Sequence, residues 1–282
     1  MQLQRFSGKC EQYFRINFEN RFNFHEFNFT MIKERVTECV IAFDPSFISK
    51  SGKKTYGLGS YWSGCAGAVK RGLEICGFAA VDVNRNTAFH LNAMVGEHSR
   101  TIQTPASKDF DLVKYCCQII KEQFLYFKEL TNYLVADSFF ARLEVIETIA
   151  GIGMHFICRL RDDAALLYLN REPKTGGKGI PKKYTGKVIT AKPDMGYFAP
   201  VYNSKEVKIY HAIVYYPAWK RNINLSITVF YDKKGKEKAR KLYFSTDLEL
   251  DGVKLVSFYR SRFQIEFLYR DAKQHCGLED GW

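Results

Sequence analysis

Residues 251–276 read DGVKLVSFYRSRFQIEFLYRDAKQHC, with neither Gly nor Pro between Val253 and Cys276. So long a run without a helix breaker predicts one continuous helix, which Gly277 is placed to cap. Tyr259, Arg262, Glu266 and Lys273 stand at offsets of 0, 3, 7 and 14. At about 100° per residue they share an arc of about 60° on one face. One helix face therefore carries an acid flanked by three phosphate-seeking groups. From the chain's own frequencies of these residue types, chance matches number on the order of 0.005.

The segment before this helix, from about 163 to 250, reads as a mostly β insertion. Val207 to Tyr216 and Leu225 to Tyr231 are strand-like, and Asp232-Lys233-Lys234-Gly235-Lys236 reads as a charged turn. From Arg171 to Lys192 seven basic residues (171, 174, 178, 182, 183, 187 and 192) face the single acid Glu172, among Gly and Pro, which reads as a loop or flexible hairpin. These cations, with Lys233, Lys234, Lys236, Lys238, Arg240 and Lys241, are either solubilising surface or phosphate-backbone contacts. Trp219 is favoured as a core residue over a base-stacking one.

Further upstream, the apolar run Cys39 to Phe43 ends in Asp44-Pro45, as expected for a strand buried on both faces whose last residue emerges at a sheet's end. Strands are expected over Trp62 to Val69 and Leu73 to Val83, joined by a turn at Lys70-Arg71-Gly72, and over Ala88 to Val95. Lys108 to Leu130 has helical spacing through Phe110, Val113, Cys117, Ile120, Phe124 and Phe127. A short strand then ends at Asp137, followed by a helix around Arg142 to Ala150 and a strand from Met154 to Leu160. This order predicts an α/β layered sheet with two strand-ending acids on one edge. Residues 1–37 show no clean period and receive no assignment.

The chain has 282 residues, is 46% hydrophobic and 15% aromatic, and carries a formal charge of +12. It is too apolar to be disordered, and its charge favours a polyanion, with nucleic acid first. No apolar run reaches the length of a membrane span, and no signal-peptide pattern opens the chain, so no membrane role is expected. The eight cysteines form no Cys-x-x-Cys pair and read as reduced, mostly buried small hydrophobes.

The pattern Y-x2-R-x3-E-x6-K of the last helix resembles the insertion-sequence DDE transposases that carry the YREK motif. Asp44-Pro45-Ser46-Phe47 is similar to that family's first acidic motif, and Val135-Ala136-Asp137-Ser138 to its second, although Phe139 stands where the family often has a small residue. The resemblance spans Cys39 to Leu278. It implies an α/β, ribonuclease H-like mixed sheet flanked by helices, with a β-rich insertion before the last catalytic helix. The expected division is an N-terminal segment 1–37, the first part of the catalytic domain 38–162, a basic insertion 163–250 and a C-terminal catalytic helix 251–282. It further implies that Asp44, Asp137 and Glu266 are catalytic and ligate Mg²⁺, for which Mn²⁺ substitutes, because hard divalent ions want oxygen ligands. Tyr259, Arg262 and Lys273 would bind DNA phosphates, Arg262 with the planar fork suited to a bidentate contact. The implied partner is DNA, as element ends and target, with a homodimer in a synaptic complex, in the bacterial cytoplasm and on the nucleoid when DNA is bound.

Each residue has a plainer reading. Asp44 and Asp137 are types that end strands and cap turns. Glu266 and Lys273 suit a solvated helix face, and Arg262 is placed to pair with Glu266 at i, i+4. Asp82, Asp162, Asp163, Asp247 and Asp251 are rival acids, but none closes an apolar strand beside a matching motif. Two other functions compete. One is a relic that binds DNA without transposing, suggested by the 43 residues before Asp44 and 16 after Glu266, fewer than the family usually carries, whence an expected C-terminal truncation. The other is a host nuclease on the same fold.

Overall fold

The run from Cys39 to Phe43 is almost wholly buried, as only a central strand flanked by layers on both faces can be. In the computed structural model, which describes residues 7–20, 22–51, 57–64, 66–95, 111–171, 182–276 and 278, it begins an interior strand of a large sheet. In chain order the elements are α1 (Glu11–Glu19), α2 (Phe24–Ile32), β1 (Cys39–Ser49), β2 (Leu58–Ser63), β3 (Ala68–Asp82), β4 (Thr87–Val95), α3 (Leu112–Leu130), β5 (Tyr133–Val135), α4 (Leu143–Gly151), β6 (His155–Leu160), β7 (Leu167–Leu169), β8 (Tyr184–Lys187), β9 (Ala199–Asn203), β10 (Val207–Tyr216), β11 (Arg221–Tyr231), β12 (Glu237–Ser245), α5 (Gly252–Ser261) and α6 (Gln264–His275).

The strands join in the order β2-β3-β1-β5-β6-β12-β11-β10-β7-β8, with β4 added to β3 and β9 to β10. β1, β5 and β6 pair in parallel and the other pairs are antiparallel, which makes the mixed sheet that the sequence predicts. Alternation along β1 sorts its side chains between two layers. Ile41 and Phe43 pack with Phe127 of α3 and Ile146 of α4, whereas Val40 and Ala42 pack with Leu255 of α5 and Ile265 of α6. β12 pairs with β6, Phe244 opposite Cys158, so strands from the 163–250 segment prolong the central sheet. Trp219 is buried against Phe244 and Tyr216, the core role favoured for it. No helix among the described residues is long and apolar enough to cross a membrane.

Three local readings are corrected, and the unassigned segment gains an assignment. β1 does not stop at Phe43 but runs on to Ser49, because β3 continues to pair with it, from Cys39 opposite Asp82 to Ser49 opposite Gly72. Lys70-Arg71-Gly72 is not a turn but part of β3. Gly72 is needed for close approach, since a Cβ there would lie 2.3 Å from the Ile48 carbonyl oxygen; the chain reverses instead near Gly67, at φ +58°. The unassigned N-terminal segment contains α1 and α2, the latter capped by the Asn23 side chain and burying His25, Phe29 and Ile32. The predicted single C-terminal helix is two. Between α5 and α6 the hydrogen bonds tighten to three-residue spacing, from Ile265 N–H to the Arg262 carbonyl and from Glu266 N–H to that of Phe263, which breaks the α ladder with no Gly or Pro. Gly277, Lys108 and Phe110 lie outside the described residues.

The insertion also fixes where α5 starts. Buried Asn224 of β11 donates through Nδ2 to the carbonyls of Asp247 (3.0 Å) and Leu250 (2.7 Å), and Ser226 donates to that of Gly252 (2.9 Å). Asp251 caps the helix, accepting from the N–H groups of Val253 and Lys254 at 2.9 Å each. Any Cβ at Gly252 would meet the His211 ring at 2.7 Å.

Candidate active site

The parallel pairing of β1 with β5 stops at Ala42 opposite Val135. Asp44 and Asp137 each lie two residues beyond that last pair, so the topology sets both acids at the same sheet edge. Pro45, which has no N–H to donate, falls where β1 has lost this neighbour. Asp137 also caps a short 3₁₀ turn, Ser138–Phe140, by accepting from the Phe139 N–H at 3.0 Å. Its capping role and its position at the sheet edge coexist.

Glu266 enters from the first turn of α6. Between it and Asp44 stands the Arg262 guanidinium, with Nη1 3.6 Å from Asp44 Oδ1 and Nη2 3.0 Å from Glu266 Oε1. The Arg262 and Asp44 side chains are only 14% and 19% exposed, and Glu266 is 41% exposed. Burial pushes the Asp44 carboxyl up to about 7; Arg262 opposes that rise, and the negative charges of Asp137 and Glu266 add to it. For Arg262 burial works against the charge, but Asp44, Tyr259, Glu266 and Asp137 outweigh it and hold the guanidinium above its ordinary value. Asp44 and Glu266 thus flank one arginine, whose charge Asp137 also favours, and the i, i+4 pairing of Arg262 with Glu266 is present.

Tyr259 packs against Tyr243 with ring centroids 4.7 Å apart and lies under the Arg262 guanidinium at 6.0 Å. Burial, followed by the neighbouring Cys158, pushes its hydroxyl up to about 12. The Lys273 ammonium donates to the Phe47 carbonyl oxygen at 2.9 Å and sits 5.5 Å over the Phe47 ring, which places it on β1 three residues past Asp44. All six residues singled out in the sequence therefore gather around the Asp44 end of the sheet. Among the described residues, however, no three His, Cys, Asp or Glu side chains already stand at metal-holding distance.

Tyr269 is a member of this site that the motif does not name. Its hydroxyl donates to the Asp44 carbonyl oxygen at 2.6 Å, and burial, with the Asp44 charge next, raises its pKa. Gly77 lies opposite Asp44 on β3, and a Cβ there would fall 2.1 Å from that hydroxyl. The available signal was spacing, because Tyr269 follows Arg262 by seven residues and would share its face on a continuous helix.

The rival acids are occupied structurally. Asp82 accepts from the N–H groups of Thr37 and Arg85 at 2.9 Å each, Asp162 and Asp163 pair with Arg159 and Arg161, Asp247 accepts from the Tyr133 hydroxyl, and Asp251 caps α5. Arg171 of the basic loop donates to the carbonyls of Gly196 and Tyr197. Lys174 and Lys178 lie outside the described residues. Cys39, Cys76, Cys116, Cys117 and Cys158 are free and buried, while Cys10 and Cys276 are free and exposed.

No curated protein matches the chain. A family model described as the transposase DDE domain matches residues 36–280, from just before β1 to beyond α6, and so takes in all the residues of this site. It agrees with the mixed, helix-flanked sheet and with the ribonuclease H-like layering expected of such a domain. The chain belongs to the DDE-domain transposases.

Proposed function

We propose that this transposase cuts DNA at the ends of a mobile element and joins the freed 3′ hydroxyl to target DNA, using Asp44, Asp137 and Glu266 as the acids of a divalent-metal site. The observation that supports this most is Arg262 lodged between Asp44 and Glu266, which marks the point where charge from separate elements is concentrated and needs a cation. The donor set fits a hard ion such as Mg²⁺ or Mn²⁺, because all three groups are carboxylates and none is a thiolate or imidazole. Such an ion, once bound, polarises the phosphodiester and activates the attacking oxygen.

The residues of the chain do the rest. Asp44, within β1, and Asp137, two residues past β5, are held by strands whose core is packed, so they are preorganised. Glu266 is more exposed than Asp44 and sits on α6, so it is the one that completes the set when Arg262 turns from the carboxylates to a DNA phosphate. Arg262, Tyr259 and Lys273 then position the scissile strand. Both steps are in-line transfers: water and then the 3′ hydroxyl attacks phosphorus, and in each a 3′ oxygen leaves. The test is a plasmid carrying the gene with its flanking genomic DNA. Nicked or excised products with Mg²⁺ support the proposal, and binding without any cleavage would favour the relic reading instead.

A further inference from the structure

The β2–β3 hairpin reaches well past the sheet that surrounds the site. β1 ends at Ser49 opposite Gly72, whereas β3 begins four residues further out, at Ala68, paired there with Ser63 of β2. The pairing of β1 with β3 and of β3 with β2 runs without a register shift, so strand alternation can be followed outward. Starting from Asp44 and its partner Gly77, one face carries Ile75, Leu73, Arg71 and Val69 of β3, and then Ser60 and Trp62 of β2. It is the face on which Ile75 packs with α5 and α6, so Arg71, Val69 and Trp62 look out on the same side as Asp44.

The outer part of this face is unlike a folded core edge. Trp62 and Val69 are cross-strand partners, and they are 67% and 63% exposed. Next to them Arg71 is exposed, and the Lys50 N–H bonds its carbonyl at 3.1 Å, bringing a second cation alongside. No acidic residue occurs from Leu58 to Leu73. A bare apolar pair on an acid-free, basic arm is costly to leave in water and complementary to a polyanion that also offers apolar surface.

We propose that this arm is a second DNA-contact surface, on which Arg71 grips a backbone phosphate while Trp62 and Val69 press into the minor groove of the duplex that leaves the active site. The inference rests on the proposed DNA-cutting role of the Asp44 site. At about 3.3 Å per residue, Val69 lies about 26 Å along β3 from Gly77. Duplex DNA running along the arm would therefore meet Trp62 about eight base pairs from the Asp44 site, at 3.4 Å per pair. Apolar side chains wedged into a minor groove and flanked by arginine are an established way of holding and bending a duplex.

The test is a fluorescence anisotropy titration of the full chain with a 30-base-pair duplex of arbitrary sequence at several salt concentrations. Arg71→Ala should lower the magnitude of the log K against log salt slope by about 0.9. Trp62→Ala should weaken binding about tenfold at every salt concentration without changing the slope, and Trp62→Phe should recover part of that loss. As a check that depends on no variant's folding, duplex should shield wild-type Trp emission from acrylamide. If wild type binds duplex and the variants titrate like it, or if Trp62 matters only for single strands, the arm is not a duplex contact and the DNA-cutting role stands. Should wild type fail to bind duplex at all, the role and the arm fall together.

Discussion

The Tyr269 hydroxyl hydrogen-bonds the Asp44 carbonyl oxygen at 2.6 Å and thereby ties α6, the helix of Glu266, to β1, the strand of Asp44. The bond crosses a gap that only Gly77 leaves open. It explains how two acids 222 positions apart keep a fixed relation despite the break between α5 and α6.

Tyr269→Phe keeps the buried ring and removes the bond. It should cost about 1 kcal/mol of stability and slow DNA cleavage while leaving DNA affinity unchanged. Gly77→Ala should cost more, because its methyl displaces the tyrosine. The two changes should be non-additive in urea unfolding, and simple additivity would mean that the hydroxyl and Gly77 do not act on each other.

Asn224→Ala should be among the most damaging substitutions far from the acids, at about 2 to 3 kcal/mol, because it strips a buried and a part-buried carbonyl of their donor. Thermal or urea unfolding measures this. A loss within a few tenths of a kcal/mol would mean that water replaces the amide and that β11 does not anchor α5.

Mg²⁺ should raise the melting temperature of the DNA-free protein by a few degrees through mass action. Asp44→Asn should abolish this rise. Arg262→Ala should enlarge it, since the guanidinium that competes for the same carboxylates is gone. An identical rise in all three proteins would place the ion elsewhere.

Arg262→Ala and Lys273→Ala should each reduce the salt dependence of binding to element ends by about 0.9 in slope, and Arg262→Lys should restore only part, because a point charge replaces a planar fork. Lys273 must leave the Phe47 carbonyl to do so. Unchanged slopes would make both residues structural.

Much of the site was legible because its signals are local. The apolar run before Asp44, the short strand before Asp137 and the helical spacing from Tyr259 to Lys273 each follow from local side-chain pattern alone. What stayed hidden depends on partners distant in sequence. β1 outlasts Asp44 because β3 goes on pairing with it, Gly72 serves close packing on Ile48 rather than a turn, and the α5–α6 break has no residue to announce it. Tyr269 was overlooked for the same reason: its helix position was visible, but the glycine gap it fills lies on β3.

The most direct measurement is cleavage of a labelled DNA carrying the element end by wild type and Asp44→Asn, with Mg²⁺ and with excess chelator. The amide keeps the shape and removes the ligand charge. Wild type should cut only with the metal, and Asp44→Asn should bind the DNA and leave it intact. Cleavage that persists in chelator, or in the Asp44→Asn protein, would contradict the account.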